Sequence, residues 1–241
     1  DEQLDRIKDF VRFYRPNAEQ IKADYQAAKD VHPKIIMTRD NMDRINRLLD
    51  EGNEKATEYY NQVLEEADAA LDEPVCTFTR PDNYRLLAMS QTVLRRMMVL
   101  GIAYMVTGDS KYPERAWLDL KAAGEFETWN YVHHLDVGEM TAAFAVGYDW
   151  MYDYWSDTQK KFITKAMYEK SLLTYYNKFM NISSPVQFQS WMNGTNWNAV
   201  CNGGTIVGAL AAAEDYPDVC YDLIAKCMRS TEIFWKEFGP Q

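Results

Sequence analysis

Histidine and cysteine are scarce in this chain of 241 residues, with three of the first and four of the second. No two cysteines form a C-x-x-C pair and there are only three histidines, so no metal site is expected. Cys220 and Cys227 stand seven apart in one helical segment, about 10 Å in rise, too far to bridge each other. With Cys76 and Cys201 they are expected to be buried free thiols, which leaves the compartment open. Basic residues are short as well: 26 Lys and Arg against 36 Asp and Glu give a formal net charge of −10. That balance lacks the basic face through which proteins hold nucleic acid. The longest apolar stretches, such as residues 97–106, fall well below the length that crosses a bilayer, so no membrane partner is expected. No cofactor is expected either. No signal peptide is visible. The chain begins at Asp1 without Met, which reads as a processed or excised form whose leader has been lost or lies elsewhere.

What the chain has is apolar residues at helical spacing. Hydrophobic residues make up 47% and aromatic residues 14%, with 11 Gly and 8 Pro, the composition of a folded chain with a real core. Strand alternation is nearly absent. Helices are expected over residues 4–14 and 18–30, then over two segments meeting near Gly52. Further helices are expected over 86–108, after Ser110 as far as a stop at Gly124, over 133–155, and from a Ser156 cap onward. The last two follow the Asn-rich loop. Thr38 or Asp40 is a candidate cap for the helix after the His32-Pro33 connector. Residues 101–123 and 208–228 repeat one weak pattern: apolar helix, acidic turn, Tyr-Pro, amphipathic helix. Repeated helical hairpins stack into solenoids or rings. The alternation of apolar and amphipathic helices predicts an all-α fold, an incomplete (α/α) toroid built of helical hairpins, with residues 1–31 as an N-terminal helical extension and 32–241 as the toroid domain.

Two places invite chemistry. In the 133–155 helix, Val137, Met140, Phe144, Met151 and Trp155 form a bulky stripe. His134, Gly138, Ala142, Ala145 and Asp149 form a small-sided face, which reads either as close helix packing or as space for a ligand with His134 at its rim. Tyr148 and Trp150 then offer aromatic contacts of the kind sugars use. The second place is "QSWMNGTNWNAVCNGG". Asn193, Asn196, Asn198 and Asn202 offer donors and acceptors, and Trp191 and Trp197 offer stacking faces. Such a loop at a helix N-terminus suits a carboxylate, because backbone N–H groups and the helix dipole add to the amides. Removing a proton alpha to a uronate carboxylate builds charge on its oxygens, which neutral donors stabilise while a base takes the proton. Asn196 is the first candidate for the carboxylate, Asn198 the next, and His134 the candidate histidine; His32 reads as structural.

The segments "HPKIIMTRDNMDRI", "YMVTGDSKYPERAWLDL", "HHLDVGEMTAAFAVGYDWMYD" and "TNWNAVCNGGTIVGALAA" together resemble the heparinase II/III-like polysaccharide lyases, the group of oligo-alginate and heparin or heparan sulfate lyases. The resemblance covers most of the chain from about His32 onward. It implies an (α/α) toroid followed by a β-sandwich domain that this chain does not contain. It also implies β-elimination on an acidic, uronate-containing polysaccharide or oligosaccharide, with the loop Asn at 196 neutralising the uronate, and a periplasmic or secreted location. Two departures matter. Trp197 stands where many members carry His after the loop Asn, and the family's catalytic Tyr falls beyond the segment matching "RSTEIFWKEF".

Two other readings remain at this level: a non-catalytic carbohydrate-binding toroid, and a toroid glycoside hydrolase working through paired carboxylates drawn from Asp136, Glu139 and Asp149.

Overall fold

The structure, a computed structural model, describes residues 15–180 and 194–237. Among them the secondary structure is helical throughout, with no strand. The helix expected over residues 4–14 lies outside the described residues.

Helix α1 (Ala18–Ala28) starts at a capping box in which Asn17 and Gln20 exchange side-chain and backbone bonds. Helix α2 (Arg39–Asp50) is capped by Thr38, whose side chain accepts from the Asn41 N–H. Gly52, at φ 69°, turns the chain into α3 (Glu54–Asp72); glycine takes that left-handed conformation without a Cβ clash. After an irregular stretch come α4 (Leu87–Thr107) and α5 (Lys111–Glu125). Next are α6 (Leu135–Trp150) and α7 (Asp157–Met167), which opens on a Ser156/Gln159 capping box. A π-helical turn at Tyr168–Leu172 leads to α8 (Leu173–Phe179). The last two are α9 (Asn196–Ala212) and α10 (Pro217–Glu237).

Helix α6 is the centre. It packs along α4 on one side and α9 on the other; α5 lies against α4, α10 against α9, and α1 against α10. Nearly every residue of α6 is buried, as its lack of a polar stripe requires. The bulky residues Val137, Met140, Phe144, Met151 and Trp155 all fall in the core.

The small-sided face of α6 is a packing surface, not ligand space. A Cβ on Gly138 would lie 3.0 Å from the Val200 carbonyl oxygen, and one on Gly204 would lie 2.1 Å from the Gly138 carbonyl oxygen. The backbones of α6 and α9 therefore touch where these glycines meet. Gly124 also differs from expectation. It sits inside α5 rather than ending it, because a Cβ there would meet the Phe162 ring at 2.6 Å.

One buried ionic cluster ties the irregular segment to the helices. Asp119 is fully buried and accepts from Arg96 at 3.0 Å, from Arg115 at 2.9 Å and from the Cys76 N–H at 2.8 Å. Glu73 binds Arg96 from the other side at 2.7 Å. All four cysteines are free and buried, and burial raises the Cys76 and Cys220 thiols to about 12.

Candidate functional site

The entrance to α6 is built on two non-glycine residues in left-handed conformation, Asn130 at φ 70° and His134 at φ 62°. Asn and His are among the few side chains that tolerate it. The turn between them brings three donors to one carboxylate. Asp136 accepts from His133 Nδ1 at 2.6 Å, from the Leu86 N–H at 2.7 Å and from the Asn130 side-chain amide. Asn130 also donates to the Tyr84 carbonyl at 2.7 Å. With the carboxylate as acceptor, His133 carries a proton on Nδ1, which leaves Nε2 as the nitrogen turned away from Asp136.

Trp197, in the first turn of α9, closes over this histidine. Its indole N–H donates to the His133 carbonyl at 3.2 Å, and its ring meets the imidazole edge-on at 5.4 Å. Tyr84 makes the same edge contact at 5.4 Å from another direction. The His133 side chain is 7% exposed. Asn196, beside Trp197, is exposed.

The neighbouring His134 turns inward. It is 1% exposed and stacks on Tyr175, with centroids 5.1 Å apart and planes 18° from parallel. Burial drives its pKa down to about 4, so the ring is neutral at ordinary pH. Behind it runs a polar ladder across α8, α9 and α10. The Tyr175 hydroxyl donates to Asn202 Oδ1 at 2.9 Å, and the Asn202 amide donates to Ser230 Oγ at 3.2 Å. The Asn198 amide donates to the Ser230 carbonyl at 3.0 Å. Burial also holds the Tyr175 hydroxyl well above its usual range, as a donor.

The amide cluster thus divides by helical phase. Asn198 and Asn202, four apart, share the inner face and are fully buried; Asn196 points out. Asn198 is fully buried, and its amide N–H groups tie α9 to α10 through Ser230. Asn193 and Trp191 lie outside the described residues.

Tyr148 and Trp150 do not belong to this end. Tyr148 is 14 residues past His134, which at 1.5 Å per residue is about 21 Å along α6. Both are buried at the far end of the helix, where the Trp150 indole N–H donates to the Ile35 carbonyl at 2.8 Å. They cannot share a sugar with Asn196. Of the carboxylate pairings with Glu139, the one with Asp149 spans 10 residues, about 15 Å along α6, and the one with Asp136 joins residues one turn apart. Asp136 and Asp149, 13 residues or about 20 Å apart, are both saturated by donors from their own fold, Asp149 by His32, Lys34 and Ile35. Hydrolase pairs stand within about 10 Å.

The candidate site therefore groups Trp197, His133 and Asp136, with Tyr84 at its edge and Asn196 next to Trp197 in sequence. His134, the histidine favoured by sequence context, is the more deeply buried of the two. The available signal was the His133–Asp136 spacing of three at a helix start, where a carboxylate and an imidazole face each other.

Among the described residues no three His, Cys, Asp or Glu side chains gather as a metal site, and no helix is long and apolar enough to cross a membrane. In comparisons with known proteins, no family model and no curated protein matches the chain.

Proposed function

We propose that this chain is the toroid portion of a polysaccharide lyase acting on uronate-containing polysaccharide, and that the acid unit is received where α6 and α9 begin. The observation that carries the reading is the grouping at that end. An exposed, uncharged amide, Asn196, stands in the first turn of a helix beside Trp197, which is fixed on an imidazole whose tautomer Asp136 sets. Asn196 supplies a neutral donor at a positive helix end, the surroundings in which a uronate carboxylate gains charge as its alpha proton leaves. His133, through Nε2, is the nearby group able to hold a proton in transit. Trp197 supplies the apolar wall for a sugar face. The toroid part of the proposal draws support from the contacts. Helices α4, α6 and α9 pack side by side, while α5, α7 and α10 pack outside them.

The test is binding and turnover with defined oligosaccharides. Alginate and heparan sulfate oligosaccharides are titrated into the chain, and the absorbance of a newly formed conjugated double bond is followed. Asn196→Ala should weaken uronate binding tenfold or more, about 1.4 kcal/mol, with the circular dichroism unchanged. Equal uronate affinity in Asn196→Ala would reject the assignment.

A further inference from the structure

A cleft of about 560 Å³ opens at the other end of α6, between the His32–Pro33 connector, α2 and the end of α4. That volume falls in the range of small-molecule sites. Its polar groups are not used up by the fold. Asp43 and Asp153 line the cleft, and among the described residues neither has a basic partner at ion-pair distance. Arg39 gives its Nε proton to the His32 carbonyl at 3.3 Å and pairs with no carboxylate among the described residues. His32 lines the same cleft. Its Nδ1 lies 2.6 Å from Asp149 and its ring stacks on Tyr152 at 3.6 Å, while Nε2 is buried without a hydrogen-bond partner. Tyr104 adds a half-buried ring, and burial with the nearby Asp153 raises its phenol pKa, which keeps the hydroxyl a donor.

A ligand here must give hydrogen bonds to two carboxylates and take them from a guanidinium. A hydroxyl does both at once, donating its proton and accepting on its lone pairs. A uronate would meet Asp43 and Asp153 as like charges, and a polyamine would meet Arg39. From the cleft's donors, acceptors and ring we infer that it binds a neutral, polyhydroxylated ligand of one or two sugar units, with Asp43, Asp153 and Arg39 on its hydroxyls and Tyr104 against a ring face. This does not rest on the elimination reading. The cleft and Asn196 stand at opposite ends of a helix 16 residues long, about 24 Å.

The experiment is calorimetric titration of the chain with cellobiose, maltose and lactose, beside glucuronic acid and spermidine. At least one neutral disaccharide should bind with a Kd below about 10 mM. Asp43→Asn and Asp153→Asn, both exposed positions, should each weaken it tenfold or more, while Asn196→Ala leaves it unchanged. The inference is overturned if none of the three disaccharides binds the folded protein, or if these variants leave binding intact. It is also overturned if glucuronic acid or spermidine is the ligand that the two variants lose. Loss of neutral-sugar binding in Asn196→Ala would place the ligand at the other end and overturn it as well.

Discussion

Acid should unfold this protein through one histidine in particular. His134 is 1% exposed, and burial holds its pKa at about 4 against an ordinary value of 6.5. The unfolded chain takes up a proton as pH falls through 6.5, whereas the folded chain resists until about pH 4. Protonation therefore favours the unfolded state, so stability is unaffected above the unfolded value and declines as pH drops from about 6.5 toward 4. Linkage between those two values gives a loss of about 2 kcal/mol between pH 7 and pH 5, approaching about 3 kcal/mol near pH 4. The control is His134→Asn, because asparagine also accepts the left-handed conformation at this position. The variant loses the stacking on Tyr175 at every pH, so its curve starts lower but lacks this descent. Urea unfolding at several pH values, read by far-ultraviolet circular dichroism, gives both curves. The difference between wild type and variant cancels the carboxylates common to both. A difference that stays constant from pH 7 to pH 5 would show that the His134 ring is not held neutral in the folded state, and the argument would fail.

Adjacent glycines of α9 should respond in opposite directions. Gly204→Ala drives a methyl into the Gly138 carbonyl and should cost about 3 kcal/mol or more, whereas Gly203→Ala, with nothing within 4 Å, should stabilise by about 0.5–1 kcal/mol; thermal melts of the two variants decide it. Asp119→Ala leaves two arginines and the Cys76 N–H without their acceptor and should cost about 3–5 kcal/mol in urea unfolding. A loss below 1 kcal/mol would show that the cluster relaxes to solvent. Trp197→Ala should weaken uronate oligosaccharide binding severalfold, with Trp197→Phe recovering part of it, as calorimetry on the two variants would read.

The helices were legible because their causes are local. Apolar spacing and the caps at Thr38 and Ser156 act within a few residues, and each lies at a place the pattern offers. What stayed hidden depends on partners far along the chain. Gly124 looks like a terminator until Phe162 is seen to occupy its missing side chain. Asn198 and Asn202 look like loop amides until Ser230, some thirty residues on, takes their protons. The two histidines at the mouth of α6 are the sharpest case. Consecutive residues of similar character cannot be ranked by pattern, and the left-handed backbone at His134 breaks the regular phase that would tell which ring faces in. Tyr148 and Trp150 are close to His134 in sequence but not in space, because a helix separates its ends by its full length.

That same length explains why α6 carries polar groups at all. At one end Asp136 binds His133 and the backbone of Leu86; at the other Asp149 binds His32 and the backbone of Lys34 and Ile35. Both histidine contacts are 2.6 Å, through Nδ1. Each carboxylate captures backbone N–H groups from an irregular segment that precedes another helix, Leu86 before α4 and Lys34–Ile35 before α2. Such N–H groups have no ladder to join and are costly to bury alone. An acceptor with several lone pairs, planted at each end of the most buried helix, meets that need. The histidine completes the acceptor's shell, and in doing so it is left with a fixed tautomer and one nitrogen to spare. A group arranged first to secure the backbone thereby becomes oriented for chemistry, and both candidate sites adjoin these two pairs rather than any other part of α6.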